Sequence, residues 1–178
     1  MDKDREKRPN QLTLEEIAAL AKEITLKSGE HMPTIIAEGS LRSATGQMVE
    51  YPATREEKTL MMLSAGFMFA QEGIGELKQV FFISEGWMST EKEGGPGAVR
   101  PSQDPNRQEV LLISNLTIEG HRTKGAIFAM IRDAEGRLTE LREVQQPEEE
   151  EDEKNRADSP LLDAFVFGFR SGRDRKID

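Results

Sequence analysis

The sequence predicts an α+β domain, a mostly antiparallel sheet of four to six strands with helices packed on it, in the order α-β-β-α-β-β-β-β-α. Three observations lead there. Two segments, Val80-Phe81-Phe82-Ile83 and Val110-Leu111-Leu112-Ile113, are continuously apolar, as strands covered on both faces must be. Two others, Thr13 to Glu16 and Thr54 to Glu57, carry the Thr-x-x-Glu pattern that starts a helix by reciprocal capping. Short turn signals separate the later strands, and only antiparallel neighbours can be joined so tightly.

Residues 1–12 are polar and charged without period and predict a disordered arm. Leu14, Ile17, Ala18, Ala21 and Ile24 then recur on one face of a helix spanning about 14–27, with Gly29 as a left-handed stop. Residues 32–38 are rich in β-branched side chains and predict a strand, with Pro33 at its tolerant first position. The Gly/Ser/Thr-rich stretch 39–46 predicts a turn, and 47–51 a short return strand.

The second helix runs to about Gln71, with Gly73 and Gly75 ending it. It is apolar around most of its circumference. Leu60, Leu63, Phe67 and Ala70 make one stripe, and Met61, Met62, Met68 and Phe69 lie outside it. Such a helix needs cover on two sides, expected from the sheet and the first helix. Any part left open is a Met-rich surface suited to a second copy or a partner groove.

Strands are predicted at 78–88, 108–117, 122–132 and 137–144, the last charged and therefore an exposed edge. A single domain over 13–144 results. Residues 145–158, with six consecutive acids from Glu148 to Glu153, form a solvated linker. Residues 159–178 are a C-terminal helix and basic tail. Ser159 is its N-cap, Pro160 its first position and Gly172 its stop. Leu161, Leu162, Phe165, Val166 and Phe169 give it one apolar face, which predicts docking onto its own domain or a neighbouring subunit.

The chain has 178 residues, no cysteine, and 24 basic against 33 acidic residues, a formal net charge of −9. Without thiols, disulfide frameworks, thiolate metal sites and cysteine nucleophiles are excluded. The negative charge opposes nonspecific nucleic-acid binding. After Met1 the residues to Arg8 are all charged, which leaves no secretory core there, and no apolar run approaches ~20 residues. A soluble, cytoplasmic protein with neither membrane nor nucleic-acid partner is expected. Phosphate loops, dinucleotide glycine motifs, nucleophile elbows and paired zinc histidines are missing, so no cofactor is predicted. His31 and His121 are the two histidines, both at predicted element boundaries and read as structural or solvent-facing.

One constellation carries candidate chemistry. If the strands at 78–88 and 108–117 pair antiparallel, the end of one and the start of the other share a sheet end, beneath the long loop 89–107. Glu85, Trp87, Arg107 and Glu109 then come within reach, with Arg100 and Asp104 in the loop. As a ligand pocket, Trp87 is a wall, Arg100 or Arg107 an anion anchor, and Glu85 or Glu109 a base or acceptor. As plain structure, Arg107 pairs with Glu85 or Glu109 and Trp87 caps the core. His121 falls at the far end of its strand, which opposes a Glu85–His121 dyad.

The functional reading is a small non-enzymatic binding or assembly module that self-associates, through helix two or the last strand, a protein partner being the other possible occupant. The alternative is a carboxylate- and arginine-based hydrolase under the 89–107 loop. In its divalent-metal form Asp104, Glu109 and Glu85 hold the ion. No catalytic residue is assigned.

Overall fold

The computed structural model describes residues 11–89, 105–145 and 160–175. Its elements are α1 (Leu14–Ser28), β1 (Thr34–Gly39), β2 (Ser43–Gln47), α2 (Arg55–Ala70), β3 (Leu77–Met88), β4 (Gln108–Thr117), β5 (Arg122–Arg132), β6 (Leu138–Glu143) and α3 (Pro160–Asp174). The strands form one antiparallel sheet in the order β2-β1-β3-β4-β5-β6. Fold class and element order are those the sequence predicts.

The two faces of β3 explain the layering. Successive side chains point to opposite sides of a strand. Val80 and Phe82 face a core shared with α2 and α3, whereas Phe81 and Ile83 face one shared with α1. The sheet is thus sandwiched between one helix and two.

At the start of α1, the Glu16 amide donates to Thr13 Oγ1 and the Thr13 amide to Glu16 Oε2, so the capping box forms. Gly29 ends the helix at φ 81°. The buried face is Ile17, Ala18, Ala21 and Thr25, and Ile24, expected on it, is 45% exposed. Thr25 takes that place because its hydroxyl donates to the Ala21 carbonyl at 2.6 Å, so the polar atom enters the core satisfied.

Two boundaries differ from expectation. Residues 43–46, read as turn, belong to β2, which ends at Gln47 where the return strand was expected to begin, so 48–51 are not strand. The turn between β1 and β2 is confined to Ser40 and Leu41, closed by the Gly39 amide on the Arg42 carbonyl. The small residues signal packing rather than a turn. A Cβ on Gly46 would stand 3.0 Å from the Phe69 ring. Gly172, expected to stop α3, lies inside it, and the helix continues to Asp174.

The second cover of α2 also differs. It comes from α3, since α1 occupies the opposite side of the sheet. Leu162, Phe165, Val166 and Phe169 of α3 are buried, as the sequence predicts for a docked helix. The approach of α2 and α3 is close enough to need glycine. A methyl on Gly66 would meet the Phe165 carbonyl oxygen, and one on Gly168 the Leu63 carbonyl oxygen. Further along, Gly172 lies against Phe67 and Ala70, and Gln71 Nε2 donates to the Gly172 carbonyl at 3.1 Å. Contacts advance together along both helices, so the two run in the same direction. Phe69 and Phe165 pack edge to face with centroids 5.3 Å apart beneath this crossing.

No helix among the described residues is long and apolar enough to cross a membrane.

The glycine contact fixes the sign of a substitution. In an open helix Gly→Ala stabilises by ~0.5–1 kcal/mol. Gly168→Ala is expected to destabilise instead, by ~1–3 kcal/mol or more, because the methyl meets backbone that cannot step aside. Denaturant midpoints check this, and a gain in stability would mean that the helices do not cross here.

Candidate functional site

The site grows out of strand register. β3 and β4 pair with Glu85 opposite Leu111 and Trp87 opposite Glu109. Period-two alternation puts Glu85 and Trp87 on the same face as Phe81 and Ile83, the face that α1 covers. On the next strand Leu111 pairs with Phe128, so Phe128, Met130 and Arg132 of β5 share that face. The polar residues collect at one sheet end because the apolar rows stop there.

Arg132 organises the cluster. Its Nε donates to Glu109 Oε2 at 2.7 Å and its Nη2 to Glu109 Oε1 at 2.9 Å, a two-pronged pair. The same Nη2 donates to the Gly29 carbonyl at 3.1 Å, the left-handed cap of α1. Beside it, Glu85 Oε1 accepts the His31 amide proton at 2.5 Å. Together Arg132 and Glu85 fasten residues 29–31, the connection from α1 to β1, onto the sheet end. Side chains of Arg132 and Glu109 are 30% and 22% exposed. Breaking the pair should therefore cost between the ~1 kcal/mol of a surface pair and the ~3–5 kcal/mol of a buried one.

Titration follows burial. Partial burial pushes the Glu85 carboxyl above the usual carboxylate range, against the pull of the His31 amide; Glu109 pushes the same way as burial and Arg132 against it. Burial lowers the pKa of His31, whose Nδ1 lies 2.7 Å from the Met32 carbonyl oxygen. Its imidazole is buried, the structural rather than the solvent-facing one of the two roles expected of a boundary histidine. His121 sits at the other end of β4 with Nε2 2.8 Å from Asp163 Oδ1, tying the β4–β5 turn to α3.

Of the six candidate residues, four are described. Glu85, Trp87 and Glu109 stand at adjacent register positions, and the Arg107 guanidinium lies over the Trp87 ring, 4.2 Å from its centroid. Trp87 is 45% exposed and so forms a lip rather than a core cap. Arg100 and Asp104 lie outside the described residues, and with Asp104 goes one member of the expected metal trio. No group of three or more His, Cys, Asp or Glu side chains among the described residues is placed to hold a metal ion.

Sequence reasoning missed two members. The cation gripping Glu109 is Arg132, where Arg107 was expected to serve Glu85 or Glu109. The usable signal was the alternation Phe128, Met130, Arg132, which sets a cation on the α1 face at the end of the strand beside β4. The His31 amide carries no side-chain signal at all.

The chain matches no protein-family model, and neither the curated proteins nor the solved structures contain a significant match to it.

Because its folded pKa is raised from about 4.5, Glu85 binds its proton more tightly folded than unfolded. Its stabilising contribution is full below the ordinary carboxylate range and is lost as pH rises through the raised value. Glu85→Gln keeps an oxygen for the His31 amide without the charge. It should raise the denaturation midpoint at pH 7, with the gap to wild type closing as pH falls below about 4.5. A lower midpoint at pH 7 would mean that the ionised carboxylate is net favourable there.

Proposed function

We propose that this chain is a small non-enzymatic assembly module that works by self-association. The observation carrying the reading is the contrast between the two edges of the sheet. β6 is guarded in the usual way by Glu140, Arg142 and Glu143, with Arg142 paired to Glu140 at 2.9 Å. β2, at the other edge, reads Ser-Ala-Thr-Gly-Gln and carries no charge. The two most exposed large apolar residues among the described ones, Leu41 at 78% and Val49 at 89%, flank it on either side. This favours the β2 edge over the two surfaces the sequence suggested, since β6 is charged and α2, although it leaves Leu60 and Met68 exposed, offers no open backbone edge.

The groups at the sheet end support the same reading. Glu109 is gripped by Arg132 and Glu85 by the His31 amide, so both carboxylates have structural work. A hydrolase at this site draws on one observation, the raised pKa of Glu85 beside the Arg107–Trp87 lip. That arrangement offers a single adaptable carboxyl, and it supports catalysis less well than the open edge supports assembly.

Light scattering of the full chain at micromolar concentrations and above should return about 40 kDa, twice the 20.0 kDa chain mass. A constant 20.0 kDa over a hundredfold concentration range would refute self-association.

A further inference from the structure

The backbone of β2 specifies how two copies would meet. The Gly39 amide donates to the Arg42 carbonyl and the Met48 amide to the Pro33 carbonyl, closing the two ends of the β1–β2 ladder. In an antiparallel ladder the bonded positions alternate. Arg42, Ala44, Gly46 and Met48 thus turn their backbone groups toward β1, while Ser43, Thr45 and Gln47 turn theirs to the outer edge. Among the described residues no strand pairs with that edge. The side chains of Ser43, Thr45 and Gln47 are also exposed.

We infer that the chain forms a two-fold dimer by antiparallel pairing of β2 with β2 of a second copy, with Thr45 opposite Thr45 on the axis. This rests on the self-associating reading above and gives it an interface and a register. Ser43 of each copy then faces Gln47 of the other, so every outward position meets an outward position, in about six bonds between chains. A shift of two residues either way would set Ser43 or Gln47 against a residue beyond the strand.

The flanking residues obey the same symmetry. Leu41 and Val49 lie just beyond the two ends of β2, each four residues from Thr45, so pairing about Thr45 brings the Leu41 end of one copy to the Val49 end of the other. Among the described residues these are the large apolar side chains that a monomer leaves most open to water. Charge agrees as well. Two copies of net charge −9 repel, yet residues 40–49 contain no acid and only one base, Arg42. Arg42 already donates to the Glu72 carbonyl and lies 3.9 Å from its carboxylate, and in the pairing it falls opposite Met48. The occupant is a second copy because the edge is complementary to itself in hydrogen bonding, apolar flanks and charge.

The test reads the register directly. Thr45→Lys and Thr45→Glu each set like charges face to face across the axis, so each variant alone should scatter at 20.0 kDa where wild type scatters at about 40 kDa. Mixed in equal amounts, the two should recover about 40 kDa, since unlike charges then meet. If each variant alone is as dimeric as wild type, the interface lies elsewhere and this register is overturned while self-association stands. A mixture that stays monomeric overturns the placement of Thr45 on the axis. A monomeric wild type ends both readings. Should either charged variant fail to fold, Thr45→Cys decides in the cysteine-free chain. Facing positions lie about 5.5 Å apart at Cα, within the span of a short bis-maleimide, so that reagent should give a covalent dimer. Its absence would overturn the pairing.

Discussion

A sheet whose central strands are apolar on both faces must be covered twice, and most of this structure follows from that requirement. Phe81 and Phe82 are neighbours in sequence yet belong to different cores. Exposing either would forfeit ~1.5–3 kcal/mol, so neither face can be left to water. One helix, α1, covers the first face. The second needs two helices side by side, and α2 precedes β3 whereas α3 arrives after the whole sheet is built. Their fit depends on missing side chains: Gly66 and Gly168 allow backbone to meet backbone. The C-terminal helix is consequently part of the core, with Leu162 and Phe165 fully buried.

The same geometry accounts for the polar cluster and for the edges. Where the apolar rows on the α1 face run out, Glu85, Glu109 and Arg132 take over and fasten the turn that leads from α1 into β1. The fastening groups are backbone atoms of Gly29 and His31, which sets the angle at which β1 enters the sheet. β1 then carries β2 on its outer side, and β2 has no further neighbour among the described residues. Edges of this kind are ordinarily blunted by charge or proline. β6 follows that practice and β2 does not, and the proposed assembly role rests on that contrast.

Much of the fold was legible because its strongest signals are local. Continuous apolar runs marked β3 and β4, the Thr-x-x-Glu pattern marked α1 and α2, and the spacing of Leu162, Phe165, Val166 and Phe169 marked α3. Reciprocal capping forms at α1, while at α2 Thr54 Oγ1 accepts from the Glu57 amide without the return bond. The misread places are those where a residue answers to a distant neighbour. Gly46 looks like a turn residue until Phe69 is laid against it, and Gly172 looks like a helix stop until Ala70 is set against it. Ile24 seems a better core residue than Thr25 only while the Thr25 hydroxyl lacks its Ala21 partner. At the sheet end, pairing β3 with β4 brings out Glu85, Trp87 and Glu109. Finding Arg132 requires a third strand, and finding the His31 amide requires the path of the chain.

Amide hydrogen exchange at β2, measured at low and high protein concentration, tests the central claim at the level of single bonds. The Ala44 and Gly46 amides, directed toward β1, should be protected at both concentrations. Those of Ser43, Thr45 and Gln47, directed outward, should exchange freely in dilute solution and slow as the concentration rises through the dimerisation range. Exchange at these three amides that does not change with concentration would contradict the account.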